Sequence, residues 1–411
     1  MDKDDYNKMV ELINSGLSTD EVLDKIVDYR RQKESSRAAD TSLEEMIDDF
    51  LDAARESEEN GNSSGTLDDA FAYNNRGISK HDLKDYHGAI FDYTKAIELD
   101  PNFVHAYNNR GNSKNNLKDY HGAIFDYTEA IDLDPNFVHA YYNRGISKKN
   151  LKDYRGAIID YTKAIELDPK YAFAYNNRGT SKKNLKDYYG AIADYTKAIE
   201  LDPNYAFAYD NRGISKHDLK DYHGAIFDYT KAIELDPNYA FAYANRGNAK
   251  SNLKDYHGAI IDCTKAIDLD PNCAFAYNNR GISKHDLKDY HGAIFDYTKA
   301  IDLDPNFVHA YNNRGNSKNN LKDYHGAIFD YTKAIELDPK YAFAYNNRGI
   351  SKKNIKDYYG AIADYTKAID LDPNYAFAYA NRGYAKQEIG NALSAMLDYH
   401  KARKINKGKV Y

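Results

Sequence analysis

From Ala70 to Phe103 the chain reads AFAYNNRGISKHDLKDYHGAIFDYTKAIELDPNF, and apolar and small residues recur in it at helical spacing. In the first half, Tyr73, Gly77, Lys80 and Leu83 fall on one face at i, i+4, i+7 and i+10. In the second half, Tyr86, Ala89, Ile90, Tyr93, Ala96 and Ile97 make a broader apolar face. The break at Lys84-Asp85 separates the two patterns, and Asp85 is suited to cap the second because its carboxylate can accept an unpaired N–H. Pro101 ends that second pattern, since proline lacks an N–H and its ring clashes with the preceding turn. The stretch predicts a helix, a short turn and a second helix.

The same stretch returns through nine full copies, and all nine prolines (Pro101, Pro135, Pro169, Pro203, Pro237, Pro271, Pro305, Pro339 and Pro373) follow one another at steps of 34 residues. A fixed period of this length implies a stacked, quasi-one-dimensional array rather than separate globular domains. The array covers 67–411, with repeats at 70–103, 104–137, 138–171, 172–205, 206–239, 240–273, 274–307, 308–341 and 342–375 and a capping repeat at 376–409. The capping copy keeps Tyr379, Gly383, Ala395, Tyr399 and Ala402 but has Arg403 at an apolar position and Lys407 in place of proline. Polar edits of that kind are expected of a terminal tile.

Gly77 recurs in every copy, through Gly383, although glycine costs a helix interior roughly 1 kcal/mol. With the small Ala89 in the second helix, it reads as a device for close helix approach. Repeats one and seven differ only at Glu98 versus Asp302, which points to array length as useful in itself.

The 34-residue length and the spacing of Tyr73, Gly77, Ala89, Tyr93, Ala96 and Pro101 resemble the tetratricopeptide repeat. The resemblance implies an all-α fold: an α-solenoid, a right-handed superhelix of stacked helix-turn-helix repeats with the first helices lining its inner groove. Two residues depart from the family pattern. Arg76 stands where leucine is usual and Lys80 where tyrosine is usual, and both recur in all ten copies. Two cations at i and i+4 repel unless an acid is near, so an Arg76–Asp92 pair is expected, repeated up the stack and fixing register more than adding stability.

Ahead of the array, residues 1–55 form an acidic region whose apolar residues recur in short helical blocks: Met9, Val10 and Ile13; Val22, Leu23 and Ile26; Leu43, Met46, Ile47, Phe50 and Leu51. Residues 56–66, ESEENGNSSGT, read as a flexible linker. The first 66 residues hold 8 Lys and Arg against 18 Asp and Glu, which leaves the array close to neutral in a chain of formal charge −7. An array without a basic stripe argues against nucleic acid as a ligand. There is no signal-like apolar core near MDKDDYNKMV and no run of about 18 apolar residues, so no membrane is expected and the chain reads as cytoplasmic. With 40 Tyr and no Trp, the core must be built from Ala, Ile, Leu and tyrosine rings.

Repeat positions 2, 6, 9 and 13 fall opposite the buried face of the first helix. Position 6 is asparagine in every copy: Asn75, Asn109, Asn143, Asn177, Asn211, Asn245, Asn279, Asn313, Asn347 and Asn381. A carboxamide both donates and accepts, so such a ladder suits the main chain of an extended peptide. It resembles the ladder of superhelical repeat domains that hold substrates for protein-modifying enzymes; the alternative role is a hydrogen bond between neighbouring helices. Position 2 adds Phe71, Phe173, Phe207, Phe241, Phe275 and Phe343, with Phe377 in the cap. Positions 2, 5, 6 and 9 are never basic, which argues against the C-terminal carboxylate that some family members grip.

Histidines at positions 12 (His81, His217, His285) and 18 (His87, His121, His223, His257, His291, His325) read as exposed turn residues rather than metal ligands or pH sensors. Cys263 and Cys273 read as drift in a core, not as a disulfide or a metal site. No copy sets a nucleophile beside a base, so no catalytic residues, metal or cofactor are expected. The function expected is a non-enzymatic scaffold that binds protein or peptide partners along the groove. The competing reading is a self-associating rod using Phe91, Phe125, Phe227, Phe295 and Phe329 on the outer side, which would make the chain a homo-oligomer.

Overall fold

The structure, a computed structural model, describes residues 65–407 and holds twenty helices and no strand within them. The first helices of the repeats are α1 (Gly65–Asp82), α3 (Val104–Asn116), α5 (Val138–Asn150), α7 (Ala172–Asn184), α9 (Ala206–Asp218), α11 (Ala240–Asn252), α13 (Ala274–Asp286), α15 (Val308–Asn320), α17 (Ala342–Asn354) and α19 (Ala376–Glu388). The second helices are α2 (Tyr86–Leu99), α4 (Tyr120–Leu133), α6 (Tyr154–Leu167), α8 (Tyr188–Leu201), α10 (Tyr222–Leu235), α12 (Tyr256–Leu269), α14 (Tyr290–Leu303), α16 (Tyr324–Leu337), α18 (Tyr358–Leu371) and α20 (Ala392–Lys407). The fold is an all-α solenoid. The expected acidic helices of 1–55 lie outside the described residues, as does most of the linker; α1 begins at Gly65, inside the expected linker.

The turn between paired helices is tighter than its sequence announces. Lys84 takes a left-handed conformation (φ 63°). Its N–H donates to the His81 carbonyl at 2.8 Å, and that of Asp85 to the Lys80 carbonyl at 2.9 Å. This closes α1 with the six-to-one bond of a Schellman turn. A lysine in this conformation costs about 1–2 kcal/mol, and the same conformation recurs at each equivalent lysine through Lys356, with Gly390 taking the place in the tenth repeat. Asp85 serves twice, because its side chain also accepts the Gly88 N–H at 3.0 Å and so caps α2. A side chain on Gly88 would run into that carboxylate. At the far end of α2, Asp100 is extended, as a residue before proline must be, and its carboxylate accepts the Asn102 N–H at 3.0 Å.

By their packing the helices fall into two compact units, one through Ser113 and the other from Lys114. In the first, Ala70, Ala96, Ile97, Phe103 and Ala106 form the core, flanked by Tyr73 and Tyr107. In the second, the same arrangement repeats, as where Ala198, Ile199 and Ala208 meet Tyr175, Tyr205 and Tyr209. Consecutive first helices from α5 onward touch one another, while consecutive second helices do not, so the first helices lie on the inner side of this unit. The recurrent glycine does what its position implied. A Cβ on Gly213 would sit 2.7 Å from the Tyr229 ring, which is almost fully buried.

In the sixth repeat Cys263 takes the place of that tyrosine. Cys263 and Cys273 are buried free thiols, and burial pushes the Cys263 thiol up to about 12. The terminal tile is polar on only part of its surface: Arg403 is exposed, but so are Leu393, Met396 and Leu397.

The expected Arg–Asp pair is present and larger than expected. Asp92 is fully buried; its two oxygens accept from Arg76 Nη2 at 2.6 Å and Nε at 2.9 Å, and Lys80 Nζ lies 2.7 Å away. One carboxylate thus neutralises both cations of the first helix. Burial pushes the Asp92 carboxyl up, but the bonds from Arg76 and Lys80 outweigh this and hold it below the ordinary aspartate range. The same clasp joins Arg212 and Lys216 to Asp228.

The arginine also reaches back one tile. Arg212 Nη1 donates to Thr196 Oγ1 at 3.1 Å, and Arg110 Nη1 to Thr94 Oγ1 at 3.2 Å. Each guanidinium lies over the tyrosine three residues before it, at 5.6 Å for Arg212 and Tyr209.

Removing one partner of a buried pair strands the other, at roughly 3–5 kcal/mol. Asp228→Asn is expected near the lower end of that range because Lys216 keeps some water contact. Arrays unfold regionally, so the readout is hydrogen exchange in 206–235. Arg212→Ala combined with Asp228→Asn should cost much less than the sum of the two; strictly additive losses would mean that the pair carries no coupling.

Candidate functional site

The inner side of the second unit is built from first helices, and each presents its sixth residue toward the preceding one. Asn211 Nδ2 donates to Asn176 Oδ1 at 3.1 Å, Asn313 Nδ2 to Asn278 Oδ1 at 3.2 Å, and Asn381 Nδ2 to Asn346 Oδ1 at 3.1 Å. In the first unit Asn109 Nδ2 donates to Asn74 Oδ1 at 3.2 Å. The ladder therefore makes the inter-helical bond that was its alternative role, and its acceptor is repeat position 5. That residue was missed as a functional position, although six copies carry the legible signal Asn-Asn: Asn74, Asn108, Asn176, Asn278, Asn312 and Asn346.

The rungs are not equivalent. Asn177 is heavily engaged: it donates to Tyr142 Oη at 2.9 Å and to the Phe173 carbonyl at 3.1 Å, and accepts from Lys149 Nζ at 2.7 Å. Asn347 donates to both Asn312 and Asn316 at 3.2 Å. Asn279 is only 3% exposed, because Ala244 ahead of it supplies no side-chain acceptor and the amide turns in toward the Ala244 carbonyl at 3.5 Å. Asn75 is exposed, and Asn143 is half-buried.

The position-2 phenylalanines form a second row. Phe71, Phe173, Phe207, Phe241 and Phe343 are each about half exposed, Phe377 more so, and Phe275 less. Several meet the tyrosine just ahead of the next first helix: Phe173 lies 5.0 Å from Tyr205, Phe207 5.0 Å from Tyr239, and Phe343 5.1 Å from Tyr375. From Tyr142 through Tyr171, Phe173, Tyr205 and Phe207 to Tyr239 the rings make one continuous chain.

Position 12 completes the surface. The position-18 histidines are exposed, as expected, but those at position 12 are half-buried. His81 Nδ1 lies 2.8 Å from Ser113 Oγ and His285 Nδ1 2.7 Å from Ser317 Oγ, so these rings are packed between tiles rather than turned to solvent. Burial holds His217 and His285 below the ordinary imidazole range. His285, Asn316, Asn319, Asn320, Asn347 and Ile350 line an open niche of about 230 Å³. Among the described residues no group of His, Cys, Asp or Glu could hold a metal ion, and no helix is long and apolar enough to cross a membrane.

Tetratricopeptide repeat profiles match residues 70–103, 104–137, 138–171, 172–205, 240–273, 274–307, 308–341 and 342–375, and a further repeat profile matches 215–254. The chain belongs to the tetratricopeptide repeat family. Proteins of this family act as protein-interaction scaffolds, and the chain is one. No curated protein matches the chain.

Among solved structures, a tetratricopeptide repeat protein from Parabacteroides merdae is 18% identical over 60% of this chain and 98% of its own, with a TM-score of 0.50. The Cut9–Hcn1 assembly of the APC/C is 16% identical over 88% of this chain and 90% of its own, with a TM-score of 0.51. Both share the fold alone. MamA is 28% identical over 40% of this chain and 95% of its own, with a TM-score of 0.38.

One tetratricopeptide tile carries an acid in the amide layer. Asp210 stands at position 5, is 4% exposed, and accepts from Asn245 Nδ2 at 3.0 Å and Tyr239 Oη at 3.1 Å. Burial raises its carboxyl above the ordinary range, and Asn245, Tyr239 and Lys183 pull it back only in part. The folded state therefore binds a proton more tightly than the unfolded one. Any stability from this group is present in acid and lost as pH rises from the unfolded value, about 3.9, through the folded one. Asp210→Asn, which restores the asparagine of the sibling tiles, is expected to raise the melting temperature at pH 7. The gain over wild type should shrink to nothing below about pH 3.9; a gain independent of pH would point to packing instead.

Proposed function

We propose that the scaffold binds extended peptide segments of its partners along the first-helix surface, with the asparagine ladder facing the peptide main chain and the position-2 phenylalanines its side chains. The observation that carries this reading is the pairing of the two rows. A line of half-exposed rings runs beside carboxamides that, at Asn211 and Asn245, spend one N–H each on the neighbouring helix. A carboxamide has two N–H donors and a carbonyl, so such rungs keep capacity for a ligand. Neighbouring helices lie about 8–10 Å apart, and an extended chain advances about 3.3–3.6 Å per residue, so one rung serves about every third residue. Asn177 and Asn279 contribute to the frame more than to the ligand, the one by its engagement and the other by its burial. The acidic region 1–55 acts in this reading as a docking or regulatory segment joined by the linker 56–66.

Asn211, Asn245 and Asn313 changed together to alanine are expected to abolish capture of protein partners by the full chain, read by mass spectrometry, while helicity is kept. Retained capture overturns the groove reading.

A second reading rests on the outer surface, where Phe227, Ile261, Phe295 and Phe329 are more than half exposed in four successive tiles. Exposed apolar rows of this kind favour self-association into a rod. Sedimentation of the full chain at high concentration should then show a mass that grows with concentration; a constant monomer mass removes this reading.

A further inference from the structure

The first helices α1 and α13 are identical over 70–82 and 274–286, and α3 and α15 are identical over 104–116 and 308–320. The other six first helices of the array all differ from these and from one another. Tiles in this chain thus tolerate change on the first helix, yet one pair of neighbouring first helices occurs twice, in the same order. The second helices of the duplicated tiles are less alike, with Glu98, Glu129 and Asp132 in one pair against Asp302, Lys333 and Glu336 in the other.

The local geometry is duplicated as well. His81 lies 2.8 Å from Ser113 and His285 2.7 Å from Ser317, and the rungs Asn109 and Asn313 each donate across 3.2 Å to the tile before. The entry rung differs, since Asn75 is exposed and Asn279 buried, so the shared surface lies between the two helices. It consists of Ile78, His81, Asn109 and Asn112 in the first unit, and of Ile282, His285, Asn313 and Asn316 in the second, each with a serine holding the histidine and an asparagine accepting from the rung. The same four residue types recur at Ile214, His217, Asn245 and Asn248, but there Ala249 replaces the serine and the rung donates to Asp210, so the histidine loses its serine and the rung is tied to an acid.

We propose that these two surfaces are equivalent binding sites for one peptide motif, so that the chain takes two copies of the same ligand and its partner carries that motif twice. The inference rests on the groove reading above. Each site spans two first helices about 8–10 Å apart, which fits a core of about three extended residues. The amides bond the main chain, and the Ile–His pair sets the preference for side chains. A partner with two linked motifs gains avidity without any new contact, by as much as about 10²–10⁴-fold where the linker matches the span.

The test uses random dodecapeptides displayed on phage, selected on the full chain and counter-selected on the full chain bearing Asn109→Ala, Asn112→Ala, Asn313→Ala and Asn316→Ala. A synthetic peptide so obtained is titrated calorimetrically. Two equivalents should bind the wild-type chain, one should bind the chain with Asn109→Ala and Asn112→Ala, and none should bind the chain with all four changes. A tandem peptide should bind wild type at least tenfold more tightly than the single one and lose that gain in either double variant. Circular dichroism controls for folding; if an alanine variant loses helicity, Ile78→Arg and Ile282→Arg block the same surfaces from their rims.

A stoichiometry of one on wild type, or of two unchanged by Asn109→Ala and Asn112→Ala, overturns the proposal while leaving the groove reading standing. A selection that yields no peptide even before counter-selection overturns the groove reading, and this inference with it; peptides that all survive on the four-fold variant overturn this inference alone.

Discussion

Everything in this array hangs on one buried carboxylate per tile. Asp228 has no contact with water and takes three hydrogen-bonding contacts from two cations, Arg212 and Lys216, that stand one turn apart on the facing helix. An aspartate in that place without its cations would be costly to bury, and two cations at i and i+4 without the aspartate would repel. The three groups are tolerable only together and only in one register, and replacing such a cluster by apolar residues is often neutral for stability. What the clasp supplies is specificity: a tile shifted by one residue loses all of these bonds at once. The arginine extends the constraint to the next layer through Thr196, so the register of one tile is passed to its neighbour. That matters in a chain rich in repeated helical spacing, where a helix slid along its neighbour by one turn would otherwise differ little in energy from correct stacking.

A second polar layer lies on the inner side, and its chemistry is softer. Carboxamide bonds such as Asn211 to Asn176 join neutral groups and are each worth about 0.5–1.5 kcal/mol, so they can be exchanged for bonds to a ligand at small net cost. The clasp cannot be exchanged in this way. The array thus separates a rigid ionic seam between paired helices from an adaptable amide seam between tiles. Asp210 is the informative exception. An acid in the amide seam meets amide and phenol donors but no direct cation contact, and its raised proton affinity shows that this seam is not built to hold charge.

The fold was legible because its signals are local and repeated. Proline after the second helix of nine tiles, Asp85 as its cap and the glycine as a place of close helix approach each have one physical meaning, and the structure uses them so, with a tyrosine ring as what the glycine admits. The Arg–Asp pair could be read because two like charges at helical spacing call for an acid. Lys80 as third member was less visible, since a lysine beside a packed face can equally well reach solvent. The left-handed Lys84 was hidden, because nothing in a lysine marks positive φ; in the tenth repeat the glycine at 390 shows what the position asks for. At the inner surface the row of asparagines was legible, but its partners were not. Contacts between residues 35 apart, such as Asn109 with Asn74, depend on how one tile is offset against the next, and a single repeat carries no information about that offset. The half-buried position-12 histidines were misjudged for the same reason.

If the ionic seam fixes the frame and position 6 is occupied by the same amide throughout, the differences between tiles that a partner can sense fall on few positions. Position 5 chooses among amide, phenol, acid and alanine, and so decides how each rung is turned: toward Tyr142 at Asn177, toward Asp210 at Asn245, inward past Ala244 at Asn279. Position 9 alternates isoleucine with asparagine, threonine or tyrosine, and position 12 offers imidazole, ammonium, amide or, at Ser251, hydroxyl. Lys149 and Lys183 follow one another there, and burial pulls both ammonium groups below the ordinary lysine range. A peptide lying along successive tiles would therefore meet a sequence of local environments written in these three residues and in the phenylalanine or histidine of position 2, on an otherwise constant backbone. Such a surface gains selectivity by combining weak preferences, and a pair of tiles is the smallest unit that carries a readable combination.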